Sequence, residues 1–168
     1  NTISEWCLDR WFNLPKLETT LIPFRKDDIL EFDELWSFVY SKDEKEWIWL
    51  CLSRRTRQII ASHIGDRSAE SCKTLWNKIP KDYKKCKSYS DFYEVYQAVL
   101  PKRTHKMVGK DSGETNHIER FNNTLRQRIG RLVRSTLSFS KISFNYLINL
   151  GLFIFDYNKA IYEKFQNA

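Results

Sequence analysis

Three strand-like blocks follow one another between residues 29 and 65, after which helix and strand patterns alternate, and this order constrains the fold more than any other feature. In ILEFDELWSFVY, Leu30, Phe32, Trp36 and Phe38 share one parity while Asp33 and Leu35 share the other, the period of two of a strand. The charged run SKDEKE predicts a turn, EWIWLCLS a second strand and IIASHIG a third, together an antiparallel meander. A helix is expected from the capping region at Ser68 and Ser71 through Cys72, Leu75, Trp76 and Ile79, stopping at Pro80. CKSYSDFYEVY predicts a short strand ending at Asp91, then a helix through Val95 and Val99 that Pro101 terminates. THKMVG predicts a fifth strand and KDSGE a loop leading into a basic helix. A meander followed by alternating helices and strands predicts an α/β fold, a mixed five-stranded sheet flanked by helices.

The basic helical segment, Thr115 to Lys141, carries a single carboxylate, Glu119, and no other acid follows until Asp156. Arg120, Arg126, Arg128, Arg131, Arg134 and Lys141 make it a surface suited to a polyanion. The whole chain agrees, since a net charge of +7 and a pI of about 9.2 favour an acidic partner, nucleic acid before membrane. A hydrophobic content of 42% excludes a disordered basic tail. The longest apolar stretch, Ile142 to Phe155, falls short of the ~20 residues of a spanning helix and contains Asn145 and Asn149. Cys7, Cys51, Cys72 and Cys86 are scattered without a C-x-x-C pair, and no two of His63, His105 and His117 have zinc-like spacing. Free thiols in a reducing cytoplasm are expected rather than a zinc ribbon or a disulfide framework.

Within the basic segment, Ile118, Phe121, Leu125, Ile129 and Leu132 recur at helical spacing, a stripe expected to pack on the sheet. Glu119 lies beside it, with Asn122, Asn123 and Arg126 on the same flank. Phosphoryl transfer needs hard oxygen ligands for magnesium, an attacking water or hydroxyl, and cations near the phosphate. A carboxylate, two amides and a cation in one row suit that chemistry.

At these residues the chain resembles the transposases of the insertion sequence 1 group, whose catalytic half belongs to the DDE recombinases. LEFDELWSFV is similar to the first acidic motif, YSDFYEVY to the second and HIERFNNTLRQRIGRLVRSTLSFSK to the third, which ends in the serine-rich block typical of the group. The resemblance implies a ribonuclease H-like fold with a C-terminal helical extension. It implies Asp33, Asp91 and Glu119 as the catalytic, metal-binding triad, with 57 residues between the first two and 27 between the last two. Two Mg2+ ions, with Mn2+ as a substitute, are the implied cofactors. The implied activity is cleavage of DNA at the ends of an insertion sequence and transfer of the freed strands to a target. Asn122, Asn123, Arg120, Arg126, Arg128, Arg131, Arg134 and Lys141 are expected to contact that double-stranded DNA, and the chain is expected to work as a homodimer or higher homo-oligomer.

Each carboxylate also has an ordinary use. Asp33 fits a strand-edge acid with Glu31 and Glu34 beside it, Asp91 fits a helix cap, and Glu119 fits a first-turn glutamate favoured by the helix dipole. Asp111 and Glu114 compete as third ligands, but only Glu119 stands in the E-R-x-N-N-x-L-R context. A structure-selective nuclease of the same fold and a non-catalytic or domesticated DNA-binding regulator are the alternative functions. Residues 1–28 are expected to be a helix and a linker broken by Pro15 and Pro23, at most a remnant of a DNA-reading helix-turn-helix. Residues 29–136 are expected to form the catalytic domain and 137–168 a helical region. In that last region Leu147, Leu150, Ile154, Tyr157, Ile161 and Phe165 form a stripe with Phe144, Tyr146, Phe153 and Phe155 beside it. So much apolar surface is expected to meet a second copy, the alternative being burial within the monomer.

Overall fold

Period-two patterning yields strands where it was expected. The structure, a computed structural model describing residues 2–38, 45–132 and 143–167, places β1 at Ile29–Phe38, β2 at Lys45–Ser53 and β3 at Ile59–Gly65. They form an antiparallel meander. On the other side of β1, β4 (Lys87–Ser90) and then β5 (His105–Met107) pair in parallel, giving the order β3-β2-β1-β4-β5. Parallel neighbours require crossovers, supplied by α2 (Ala69–Lys78) and α3 (Glu94–Val99). Local signals bound these helices: the Ser68 side chain accepts from the Ser71 N–H at the start of α2, and Pro80 and Pro101 follow the C-caps Ile79 and Leu100. The mixed sheet, its order and its flanking helices make a ribonuclease H-like α/β fold with a C-terminal helix.

Alternation along β1 divides the core in two. Leu30 and Phe32 pack with Trp49, Leu75 and Tyr96 on the side of α2 and α3. Leu35 packs on the other side with Ile48 and Leu50, under α4 (Asn116–Arg128) and α5 (Ser143–Gln166), which contribute Ile118, Phe121, Leu125 and Ile154. Asp33 shares the parity of Leu35, so it belongs to the α4 side.

The basic segment departs from a single long helix. α4 ends at Arg128, Ile129 is extended (φ −107°, ψ 96°), and Gly130–Leu132 form a 3-10 turn. Gly130 is a poor interior helix residue because of its backbone entropy, and the turn brings Leu132 back into the core that holds Leu125.

α5 buries the middle of the stripe expected of it, Leu150 and Ile154 with Tyr157 packed against them, and a second face besides. Leu147 and Phe165 are 38% and 53% exposed, while Ile148, Leu152 and Phe155 are buried along with Tyr146, Leu150 and Ile154. The cause is the helix that lies over it. α1 (Ile3–Phe12), opened by the Thr2–Glu5 capping box, sets Trp11 against Gly151, where a Cβ would come within 2.1 Å of the indole ring. Arg10 pairs with Asp156 beside that contact. On the sheet side, the fully buried Asn158 accepts from the Ile59 N–H (2.9 Å) and donates to the Ile59 carbonyl (2.8 Å), satisfying backbone that edge strand β3 would otherwise leave unpaired.

Candidate active site

Register explains how two distant aspartates meet. β1 and β4 pair Ile29, Leu30 and Glu31 with Lys87, Ser88 and Tyr89. The same offset carried past the end of β4 brings Asp91 level with Asp33 on neighbouring chain segments. Glu119 arrives from the first turn of α4, whose Ile118 and Phe121 seat the helix on the same face of the sheet. The three carboxylates line one cleft of about 270 Å³, together with Lys110, Asn122 and Asn123.

Gathering acids in a half-buried cleft has an electrostatic consequence. Asp33 is pushed up from 3.8 to about 7, first by burial and then by the charges of Glu34, Asp91 and Glu119. Hydrogen bonds fix one oxygen each of Asp91 and Glu119 and both oxygens of Asp33, whose Oδ1 accepts from the Glu34 N–H (2.9 Å). The Asn122 amide donates to Asp33 Oδ2 (2.6 Å), the Tyr93 N–H to Asp91 Oδ1 (3.0 Å) and the Thr115 hydroxyl to Glu119 Oε1 (2.9 Å). Among the described residues no group of three His, Cys, Asp or Glu side chains stands arranged to hold a metal ion. The chemistry nevertheless fits a hard divalent cation: the donors are oxygens, their charges repel one another, and Asn122 Oδ1 is buried without a hydrogen-bond partner.

The shifted aspartate makes stability depend on pH. Because its folded value lies above its unfolded one, the folded state keeps a proton that the unfolded chain releases between about pH 4 and 7, so stability falls as pH rises through that window. In metal-free protein at pH 8, Asp33→Asn is expected to stabilise by ~1–3 kcal/mol, less than the shift alone implies because water in the cleft screens the charge. Near pH 4 the substitution should be neutral. Melting temperatures in chelator at both pH values check this, and a variant less stable than the parent at pH 8 would contradict it.

The structure disperses the other expected site residues. Asn123 is exposed at the cleft, whereas Asn122 is buried and bonded to Asp33. Arg120 and Arg128 are exposed on α4, and Arg126 Nη1 donates to the Leu132 carbonyl (3.4 Å). The side chain of Arg131, and Arg134 and Lys141 altogether, lie outside the described residues. Of the competing acids, Glu31, Glu34, Asp111 and Glu114 do not line the cleft. Lys110 and Thr115 were not anticipated; both sit in the irregular approach to α4, where no periodicity marks a side chain.

The family model described as IS1 transposase matches residues 29–156, from the start of β1 into α5. The chain belongs to the IS1 transposase family. The IS1 match contains every element that lines the cleft. Among curated proteins, the chain is 38% identical to the insertion element iso-IS1n protein InsB of Shigella dysenteriae over 113 residues, covering 67% of this chain and 83% of that protein. It is 30% identical to the IS1 protein InsB of Shigella flexneri over 111 residues, 66% of this chain and 82% of the relative. For the IS1 4 protein InsB of Escherichia coli K12 the identity is 29% over 111 residues, 66% of this chain and 64% of the relative. Membership of the IS1 transposase family gives the chain a transposase role, with DNA as the polymer it processes, and the charge of +7 suits that substrate. Among the described residues, no helix is long and apolar enough to cross a membrane.

Proposed function

We propose that the chain cuts and joins DNA strands at insertion-sequence ends by divalent-metal-dependent phosphoryl transfer, with Asp33, Asp91 and Glu119 as its catalytic carboxylates. The observation behind this is their convergence, from β1, the end of β4 and α4, on one cleft that also holds Lys110 and the partnerless Asn122 oxygen. Two Mg2+ ions bound by those carboxylates, or Mn2+ in their place, would supply Lewis acidity toward the phosphate and the attacking and departing oxygens.

The chain's own groups do the rest. Asp33, Asp91 and Glu119 present anionic oxygens whose directions are set by Asn122, the Tyr93 N–H and Thr115. Lys110 offers a cation to non-bridging phosphate oxygens. Water first breaks a phosphodiester at the element end and leaves a 3′-hydroxyl. That hydroxyl then attacks a target phosphodiester, making one P–O bond as another breaks, so neither an energy source nor a serine or tyrosine nucleophile is required. The partners are double-stranded DNA and at least one further copy of the chain, because two ends must join one target.

Arg120, Arg128, Arg131, Arg134 and Lys141, with Arg126 and Asn123, are assigned to the DNA backbone. Neutralising Arg128, Arg131 and Arg134 to Gln should weaken binding about equally for all sequences and lower the salt slope by roughly 0.9 for each phosphate that is no longer neutralised. Binding isotherms across a salt series check this, and an unchanged slope would return the arginines to a solvated face. The function itself is tested by incubating the protein with labelled element ends, Mg2+ and a target plasmid. Joined strands support it, cutting without joining favours a structure-selective nuclease, and tight binding with neither favours a non-catalytic regulator.

A further inference from the structure

β1 carries two more acids beside Asp33, and each is spent on the segment that bears another member of the triad. Glu31 is fully buried beneath the start of α4. Its Oε2 accepts from the N–H groups of His117 and Ile118 (both 3.0 Å), and its Oε1 accepts from Arg54 Nε (2.8 Å). Arg54 Nη2 continues to the Glu114 carbonyl (2.6 Å) and pairs with the Glu114 carboxylate (2.7 Å). The two N–H groups belong to the set that a helix N-terminus leaves unsatisfied, and the helix dipole favours a negative charge there. The turn that carries Glu119 is thereby fixed to β1, two residues from Asp33.

Glu34 does the equivalent on the opposite face. Its buried side chain pairs with Arg67 (2.6 Å) and accepts from the Tyr96 hydroxyl (2.7 Å). The Arg67 guanidinium lies between the rings of Tyr93 (4.1 Å) and Trp47 (4.4 Å), and the Tyr93 hydroxyl donates to the Arg67 carbonyl (2.6 Å). Tyr93 in turn holds Asp91 through its backbone N–H. A chain of contacts therefore runs from the residue next to Asp33 to Asp91.

We propose that Glu31 and Glu34 are positioning residues that set the placement of Glu119 and Asp91 relative to Asp33, and so the affinity of the cleft for a divalent cation. This rests on the reading of the three carboxylates as the metal ligands. Stability alone is a weak reason to bury two acids with arginine partners, since apolar residues of the same volume usually serve as well. Direction is the stronger reason: each carboxylate binds only at a set angle, and a metal-ligand set is sensitive to the shell that orients it.

The test uses the full chain and Mn2+ alone, with free Mn2+ followed by its electron paramagnetic resonance signal, at a temperature where melting curves show each variant folded. Arg54→Met and Arg67→Met keep the apolar stem and remove the guanidinium. Each is expected to raise the Mn2+ dissociation constant about 10-fold or more, with DNA affinity in chelator unchanged. A merely structural role would lower the melting temperature without moving the Mn2+ affinity of the folded protein. Folded variants that bind Mn2+ like the parent overturn the proposal. Should the methionine variants fail to fold, Arg54→Lys, which keeps the charge but not the two-pronged reach to Glu31 and Glu114, and Tyr93→Phe, which removes one hydrogen bond, are expected to weaken Mn2+ about threefold, no change again overturning it. Asp33→Asn separates the two claims. If it binds Mn2+ normally, the metal-site reading itself is wrong; if it loses Mn2+ while the arginine variants keep it, only the positioning role fails.

Discussion

Asp33→Asn, Asp91→Asn and Glu119→Gln are each expected to lower strand cleavage and strand transfer about a thousandfold or more, the loss that follows when several kcal/mol of transition-state charge stabilisation disappear. DNA affinity in chelator should hold, because the arginine face is untouched. Folding should hold as well, since the amides at 91 and 119 can still accept from the Tyr93 N–H and Thr115, and the amide at 33 keeps one of the two hydrogen bonds that Asn122 and the Glu34 N–H give Asp33. Gel assays of end cleavage and joining, with circular dichroism on the same preparations, measure both. Glu114→Gln and Asp111→Asn should keep most activity, as neither acid lines the cleft. An active Glu119→Gln beside a dead Glu114→Gln or Asp111→Asn would show that the third carboxylate was chosen wrongly.

The largest stability effect is expected far from the chemistry, at Asn158. Replacing it with Ala strips a hydrogen-bond partner from both the N–H and the carbonyl of Ile59 in a site that water does not reach. Each orphaned group costs about 1–3 kcal/mol, so a total near ~3 kcal/mol is expected, with the packing of α5 on the edge strand loosened first. Denaturant unfolding should show a lower midpoint at an unchanged slope. A destabilisation below ~1 kcal/mol would mean that water or a shifted side chain replaces the amide.

The meander and the crossover helices were legible because each rests on a local rule: parity along ILEFDELWSF, a serine cap at Ser68, a proline after each of two helices. Asp33, Asp91 and Glu119 were singled out together only through their motifs. Nothing in parity reveals that Asp91 falls level with Asp33, because parallel pairing joins segments far apart in sequence. The helix break at Ile129 escaped for a different reason: Leu132 returns to the core through a 3-10 turn, so burial keeps a helical period after the helix has ended. On α5 the stripe marked the sheet-facing Leu150 and Ile154 but not the second buried face, because Trp11, from a helix more than a hundred residues earlier, covers Gly151. The contacts of Glu31 and Glu34 could not be read beside Asp33 because their partners Arg54 and Arg67 lie 23 and 33 residues away. Asn122, expected on DNA, donates to Asp33, a contact that side-chain type and helical flank do not reveal.

Anomalous diffraction from crystals of the protein soaked in Mn2+ tests most directly the proposal that Asp33, Asp91 and Glu119 together bind the catalytic metal. An anomalous peak in the cleft coordinated by oxygens of all three carboxylates is expected, with its loss in Asp33→Asn crystals. A cleft without a peak at saturating Mn2+, or a peak held by Asp111 or Glu114 in place of Glu119, would contradict it.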